Sequence, residues 1–248
     1  MSATGDLFDV SGRTALVTGG SRGVGLMIAR GLVAAGARVI VSSRKEADLG
    51  AAARELASVG ECLAVPGDVS TPEGAAALAA AVGERFESLH LLVNNAGASW
   101  GAPLDEFPAS GWDRVMHTNV EGLFHLTVAL LPALRAAARP DDPARVINIG
   151  SVDGLRAPAM ENYSYSAAKA AVHMLTRHLA KRLASERITV NAIAPGPFES
   201  KMTAFMLDSL EAREMVEQLV PIGRIGRADD VAGLVLSLIH ISEPTRPY

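Results

Sequence analysis

One cysteine, Cys62, in 248 residues excludes an intramolecular disulfide and any cysteine-built metal cluster. A lone thiol of this kind reads as a small buried hydrophobe. Aromatics are 4% of the chain while apolar residues are 49%, so a large core must be built from Ala, Val, Leu and Ile. Such small side chains suit helices packed closely on a sheet. The net charge of −4 gives no basic footprint for nucleic acid. No apolar run approaches the ~18–20 residues that span a bilayer, and no charged segment leads into an apolar one at the start. The histidines lack zinc-ligand spacing, and packing is the expectation for all six. These absences lead to the expectation of a soluble, cytoplasmic protein with a small-molecule substrate and no metal, membrane or nucleic-acid partner.

What is present is alternation. R-T-A-L-V-T (13–18) is a compact apolar strand that runs into G-G-S-R-G-V-G (19–25). A helical pattern follows to Gly36, then the strand A-R-V-I-V-S-S (37–43). Strand, glycine loop, helix and strand make one βαβ unit with parallel pairing. Further strands are expected at 61–66, 89–95, 145–150 and 188–193, with helices over 72–85, 111–135 and up to Arg182. Alternation throughout predicts one α/β domain, a doubly wound parallel sheet of Rossmann type, with ligands at the carboxyl ends of the strands. Asp68, Asn94, Ser151 and Pro195 all fall at or just after those ends.

Two stretches carry chemistry. The loop spacing Gly19-x-x-x-Gly23-x-Gly25 lets backbone approach an anion at a helix N-terminus, although it differs from G-x-G-x-x-G. Farther on, Y-S-A-A-K puts Tyr165 and Lys169 four apart, on one helix face. Tyr163 stands about 240° round the helix from Lys169 and cannot share that face. A phenol beside an ammonium is favoured as phenolate, which moves it towards proton exchange with an alcohol or carbonyl oxygen. Ser151, after the fifth strand, could donate to the same oxygen. On its own the tyrosine–lysine pair reads more readily as an ordinary exposed contact, and the rest of the chain has to raise it above that.

Taken together, T-G-G-S-R-G-V-G (18–25), D-V (68–69), N-N-A-G (94–97), Asn119, Ser151, Y-S-A-A-K (165–169) and P-G (195–196) resemble the classical short-chain dehydrogenase/reductases over roughly residues 8–235. Within that family, S-W-G after N-N-A-G, G-W (111–112) and P-G-P-F-E-S-K-M-T are similar to a branch of rhamnolipid-associated 3-oxoacyl reductases. The resemblance implies reversible hydride transfer between a nicotinamide and a carbonyl/alcohol pair, in a homodimer or homotetramer. It implies that Tyr165 exchanges the proton, Lys169 lowers the phenol's pKa and holds the cofactor's ribose, Ser151 binds the reacting oxygen, and Asn119 anchors a water relay. It assigns cofactor contacts to Gly19, Ser21, Arg22, Gly23, Val24, Gly25, Ser43, Arg44, Asp68, Val69, Asn94, Ala96, Gly97, Tyr165, Lys169, Pro195 and Gly196. An alcohol or sugar dehydrogenase, or a non-catalytic cofactor-binding scaffold, are the other readings.

The second strand ends in Ser42-Ser43 followed by Arg44, with Arg22 in the glycine loop and no carboxylate at the strand end. Two guanidiniums there suit a 2′-phosphate, so the expected cofactor is NADPH (NADP+). Residues 197–222, with several methionines, read either as a mobile lid over an apolar chain or as ordinary core. Trp100 and Trp112 read as pocket borders or as packing. The chain divides into a Rossmann-type domain, 1–235, and a tail, 236–248. That tail, L-S-L-I-H-I-S-E-P-T-R-P-Y, lacks helical periodicity and the family's closing D-G-G and looks like translated library-adapter sequence. It is expected to be poorly packed and the final strand to be missing.

Overall fold

A computed structural model describes residues 8–240. The first strand, β1 (Thr14–Thr18), is wholly buried and leads through the glycine turn into α1 (Gly23–Ala34). Then come β2 (Arg38–Ser43), α2 (Glu46–Ala57), β3 (Cys62–Pro66) and α3 (Pro72–Gly83). Thr71 caps α3 by accepting the Gly74 N–H, and Pro72 fits the first turn, where an N–H would have no partner. The second half runs β4 (Leu91–Asn94), α4 (Ala109–Met116), α5 (Gly122–Ala137), β5 (Ala144–Ile149), α6 (Tyr163–Leu183), β6 (Ile188–Ile193), α7 (Leu210–Gln218) and α8 (Ala228–His240). The six strands form one parallel sheet in the order β3-β2-β1-β4-β5-β6. The order reverses between β1 and β4, which opens a crevice at their carboxyl ends.

Apolar residues fill both faces of the sheet. One layer gathers Ile28, Leu32, Val39, Val41, Leu56, Ile147 and Val235; the other gathers Leu16, Ile40, Leu78, Leu92, Leu126, Leu130 and Val146. On the first layer α1 and α8 pack with Gly31 against Ala232, where a Cβ at residue 31 would come 2.5 Å from that alanine's own. A polar ladder crosses the second half of the sheet. Asn94 Nδ2 donates to Thr127 Oγ1 (3.0 Å) and to Asn148 Oδ1 (2.9 Å), and Asn148 Nδ2 donates to Thr176 Oγ1 (2.9 Å). The two threonine hydroxyls end on the backbone carbonyls of Leu123 and Val172. At the opposite edge of the sheet, buried Arg145 pairs with Asp142, which also accepts from Arg13 Nη1 at 2.6 Å.

Three differences from the sequence reading have physical causes. Helix α2 went unassigned because its buried face, Leu49, Ala52, Ala53 and Leu56, is half alanine. The single helix expected over 111–135 is α4 and α5 joined by a π segment, His117–Glu121, with Gly122 at the junction. A Cβ on Gly122 would lie 2.0 Å from the Val69 carbonyl oxygen, so glycine is what lets the helix run against β3's exit. Over Ala109–Ala137 this helix is long and apolar enough to cross a membrane by length and composition, but Leu123, Leu126, Leu130 and Leu134 bury one face on the sheet.

The third concerns the tail. Residues 236–240 are not the ill-packed segment expected: they complete α8, and Ile239 is 2% exposed. Val231, Val235 and Ile239 recur every four residues, a period visible only when the window spans residue 236. The rest of the tail, 241–248, lies outside the described residues. Among the described residues β6 has β5 on one side and no partner strand on the other.

Candidate active site

Helix α6 carries Tyr165, Lys169 and His173 at four-residue intervals, one stripe facing the carboxyl end of β5. Ser151 follows β5 directly. Its hydroxyl lies beside the Tyr165 phenol and acts to lower the phenol's pKa, and its Oγ accepts the Asp153 N–H at 3.1 Å. Lys169, 5% exposed, donates from Nζ to the Ile149 carbonyl at 2.7 Å and stands 5.6 Å from the Tyr165 ring centre. Tyr163 is turned away, donating to Glu161 (3.2 Å) with its ring edge-on to Phe107. The helical-angle argument that separated the two tyrosines therefore agrees with the structure.

Asn119 lies in the π segment, a helix irregularity often found at functional sites. Its Oδ1 accepts the Ala98 N–H (2.7 Å) and its Nδ2 donates to the Ala98 carbonyl (2.9 Å). Both ends of the amide are thus spent on fixing the loop after β4. A Cβ on Gly97 in that loop would stand 3.3 Å from Asn119 Oδ1, a tight contact, and 3.8 Å from Lys169 Nζ, an ordinary one.

The expectation that Lys169 lowers the pKa of Tyr165 needs correction. Burial dominates and raises the phenol, the Ser151 hydrogen bond lowers it, and the charge of Asp153 raises it. Burial also drives Lys169 towards neutrality, to about 8, so its charge is a weak lever on the phenol. The sign for stability follows. An unfolded lysine stays protonated up to about 10.5 and so binds more protons than the folded one between about 8 and 10.5, and stability from this group rises with pH there. Lys169→Met removes that titration. The stability gap between wild type and the variant, measured by denaturant unfolding, is expected to shift by about 3 kcal/mol in favour of wild type across this window. A gap independent of pH would mean that the lysine titrates normally.

The glycine turn sits beside this group. Gly19 (φ +64°) and Gly23 (φ +53°) take left-handed backbone, and Gly25 lies so close to the Gly19 carbonyl oxygen that a Cβ would approach it to 2.4 Å. Ser21, Arg22 and Val24 occupy the same turn and the start of α1. Thr18 Oγ1 accepts the N–H groups of both Asn95 and Ala96 at 3.0 Å, and Asn95 Nδ2 donates to the Thr18 carbonyl at 2.8 Å. These bonds clamp the turn to the loop after β4. Ser43, closing β2, has a buried hydroxyl without a partner, next to Arg44. Neither arginine is far from an acid: Arg22 is 3.7 Å from Asp48 and Arg44 is 4.0 Å from Asp68, all four half-exposed. Asp68 also accepts the backbone and hydroxyl of Ser70, and these bonds hold its carboxyl below the usual range against the opposing effect of burial. Pro195 accepts the Val152 N–H at 3.2 Å, and Gly196 borders open space.

Comparison with known proteins places this arrangement. Residues 13–210 match the family described as short chain dehydrogenase. The chain belongs to the short-chain dehydrogenases. It is an oxidoreductase of that family, with the family's fold. A Pseudomonas aeruginosa protein named rhamnolipids biosynthesis 3-oxoacyl-[acyl-carrier-protein] reductase is 49% identical, over 93% of this chain and 90% of its own length. A 3-oxoacyl-[acyl-carrier-protein] reductase of Vibrio cholerae is 35% identical, over 93% and 91%. A solved Pseudomonas aeruginosa RhlG/NADP active-site complex superposes with a TM-score of 0.93 at 47% identity, covering 97% of this chain and 94% of that one.

Against this family background the structure sorts the expected residues. Asn119, Ser151, Tyr165 and Lys169 converge at one edge, with Gly19, Ser43, Arg44, Asp68, Val69, Ala96, Gly97, Pro195 and Gly196 at the neighbouring strand ends. The Asn94 Nδ2 is taken up by the polar ladder, while its Oδ1 is buried without a partner. Its neighbour Asn95 makes the contact to the glycine turn and was missed; the doubled N-N was its only signal. Trp100 packs on Gly111 and shares the cluster of Tyr165, Ala168 and Val115, whereas Trp112 faces Phe107 and is 42% exposed. The segment 197–222 is not core, since Phe205, Leu210, Met215 and Leu219 are each more than half exposed. It does reach the glycine turn: a Cβ on Gly23 would meet the Ser200 side chain at 3.1 Å.

Proposed function

We propose that the chain is an NADPH-dependent carbonyl reductase acting on an apolar 3-oxoacyl-type ketone. The observation that carries the reading is the gathering of Ser151, Tyr165 and buried Lys169 at the exit of β5, two strands from the glycine turn that follows β1. When bound, the nicotinamide nucleotide supplies the hydride. The glycine turn would hold its phosphates, and Lys169 its ribose. Ser43, whose buried hydroxyl lacks a partner, would take the 2′-phosphate together with Arg22 and Arg44. That grip requires the two arginines to loosen from Asp48 and Asp68, which distances of 3.7 Å and 4.0 Å allow at little cost.

Ser151 orients the substrate's carbonyl oxygen, and Tyr165 gives it a proton as the carbon is reduced. With burial raising its pKa, the tyrosine carries at neutral pH the proton it is to give. Asn119 serves by holding the Ala98 loop behind the lysine. The exposed apolar face of α7 and the turn before it would close over an acyl chain and exclude water. Apolar side chains left exposed on α4 and α5, Trp112, Phe124 and Val128, suit burial between copies of the chain in a cytoplasmic homodimer or homotetramer.

Fluorescence titration with NADPH and NADH tests the cofactor assignment. NADPH is expected to bind at least about tenfold tighter, and Arg44→Asp to remove or reverse that preference, since a lost charge-assisted pair to phosphate is worth this much. Equal binding of the two by wild type would overturn the assignment of Arg22, Ser43 and Arg44.

A further inference from the structure

We propose that His173 is a positioning residue for Ser151, its Nε2–H holding the Ser151 carbonyl so that the serine hydroxyl stays on the Tyr165 phenol. The inference rests on the carbonyl-reductase reading, in which Ser151 orients the reacting oxygen. The contact is Nε2···O at 3.1 Å, and because a carbonyl can only accept, Nε2 carries the proton. His173 completes a stripe on α6 that faces the exit of β5: Tyr165 stands beside the serine hydroxyl, Lys169 donates to the Ile149 carbonyl and His173 to the Ser151 carbonyl.

The chain makes room for this ring. Gly150 lies beneath it, and a Cβ there would fall 2.3 Å from His173 Cε1. Other bonds hold the same short segment along different directions. The Gly150 N–H reaches the Ile193 carbonyl (2.7 Å) and the Val152 N–H the Pro195 carbonyl (3.2 Å), both on the β6 side. The Gly154 N–H also donates to the Ser151 carbonyl (3.0 Å), within the turn itself. From the helix that carries Tyr165, Lys169 and His173 donate to backbone carbonyls of this segment, and His173 is the one that holds Ser151 itself. Losing His173 leaves Ser151 attached to β6 and to its own turn but free to tilt away from the phenol.

The test compares His173→Phe, which keeps a ring over Gly150 without a donor, with His173→Gln, whose amide N–H sits at nearly the reach of Nε2. With NADPH and acetoacetyl-coenzyme A as probe substrate, His173→Phe is expected to lower kcat about tenfold, the loss of one well-placed hydrogen bond. The NADPH dissociation constant should change less than about twofold, and His173→Gln should recover most of the rate. Unchanged kcat in His173→Phe, or no advantage of His173→Gln over it, would overturn the proposal. A second readout is independent of substrate. Tyr165 is titrated by difference absorbance against Tyr165→Phe, and its pKa should rise in His173→Phe as the Ser151 hydrogen bond weakens. Should wild type fail to reduce the probe, the substrate reading falls, and the phenol titration alone decides the role of His173.

Discussion

Tyr165→Phe is expected to lower kcat by at least about 10³-fold while the NADPH dissociation constant stays within about threefold. The size follows from the part a positioned acid plays in moving a proton as a carbonyl is reduced. The separation of the two effects follows from geometry. The phenol hydroxyl faces Ser151, whereas Lys169 and the glycine turn rest on partners of their own, the Ile149 carbonyl and the Thr18–Asn95 clamp. Removing one oxygen leaves the ring in its cluster with Ala98, Val115 and Ala168, so stability should fall by only about 1 kcal/mol, the net worth of one hydrogen bond. Single-turnover kinetics with a 3-oxoacyl thioester, paired with fluorescence titration, reads both quantities. Turnover that survives the substitution would remove Tyr165 from the chemistry and shift the proton to another group.

Asp142→Ala should cost about 3 kcal/mol of stability, about 6–12 °C in melting temperature for a chain of this size, and leave kcat nearly unchanged. The substituted residue is a third exposed; the reason for the loss lies with its partner. Arg145 is 4% exposed, its Nε has no hydrogen-bond partner, and Asp142 is the carboxylate that neutralises it. Without Asp142 a guanidinium would remain buried and unpaired at the start of β5. Burial already holds the Arg145 pKa below its usual value against the effect of Asp142. The double variant Asp142→Ala/Arg145→Met should regain most of the loss, because an apolar side chain at residue 145 needs no counter-charge. Calorimetry of the three proteins decides the matter: equal melting temperatures for Asp142→Ala and wild type would mean that water, not Asp142, solvates the arginine. Arg13 is the weaker member, and Arg13→Gln is expected to cost about 1 kcal/mol or less.

Much of the sheet was legible because each strand is a short apolar run closed by glycine, proline or a polar residue, and parallel strands buried on both faces produce that signal. The reactive group was legible where it rests on local geometry. Four-residue spacing decided for Tyr165 and against Tyr163 from the sequence alone. Contacts across the fold were not legible. No spacing relates Asn119 to Ala98, or Asn95 to Thr18, because those pairs meet only after the strands have been ordered. The pKa of the phenol was misjudged for a related reason: a sequence reveals which charge stands near a group, but not how far both have been withdrawn from water. His173 was passed over because the histidines were weighed only for zinc-ligand spacing, and its place four residues after Lys169 was not considered.

The polar ladder of Asn94, Asn148, Thr127 and Thr176 gives the fold a way of checking itself. The rest of the β4–β5 seam is Leu91, Leu92 and Val93 against Arg145, Val146 and Ile147, and its apolar pairs would accept a shifted partner with modest loss. The amides would not. A slip of one residue moves a strand by about 3.3 Å and turns alternate side chains to the other face, which would strand the buried amides while the threonine hydroxyls kept only their own helix carbonyls. The mispaired chain is therefore rejected at the very end of the seam that sets where Ser151 emerges. A molecule that passes this check has, by the same four side chains, already set its serine at the height of its tyrosine.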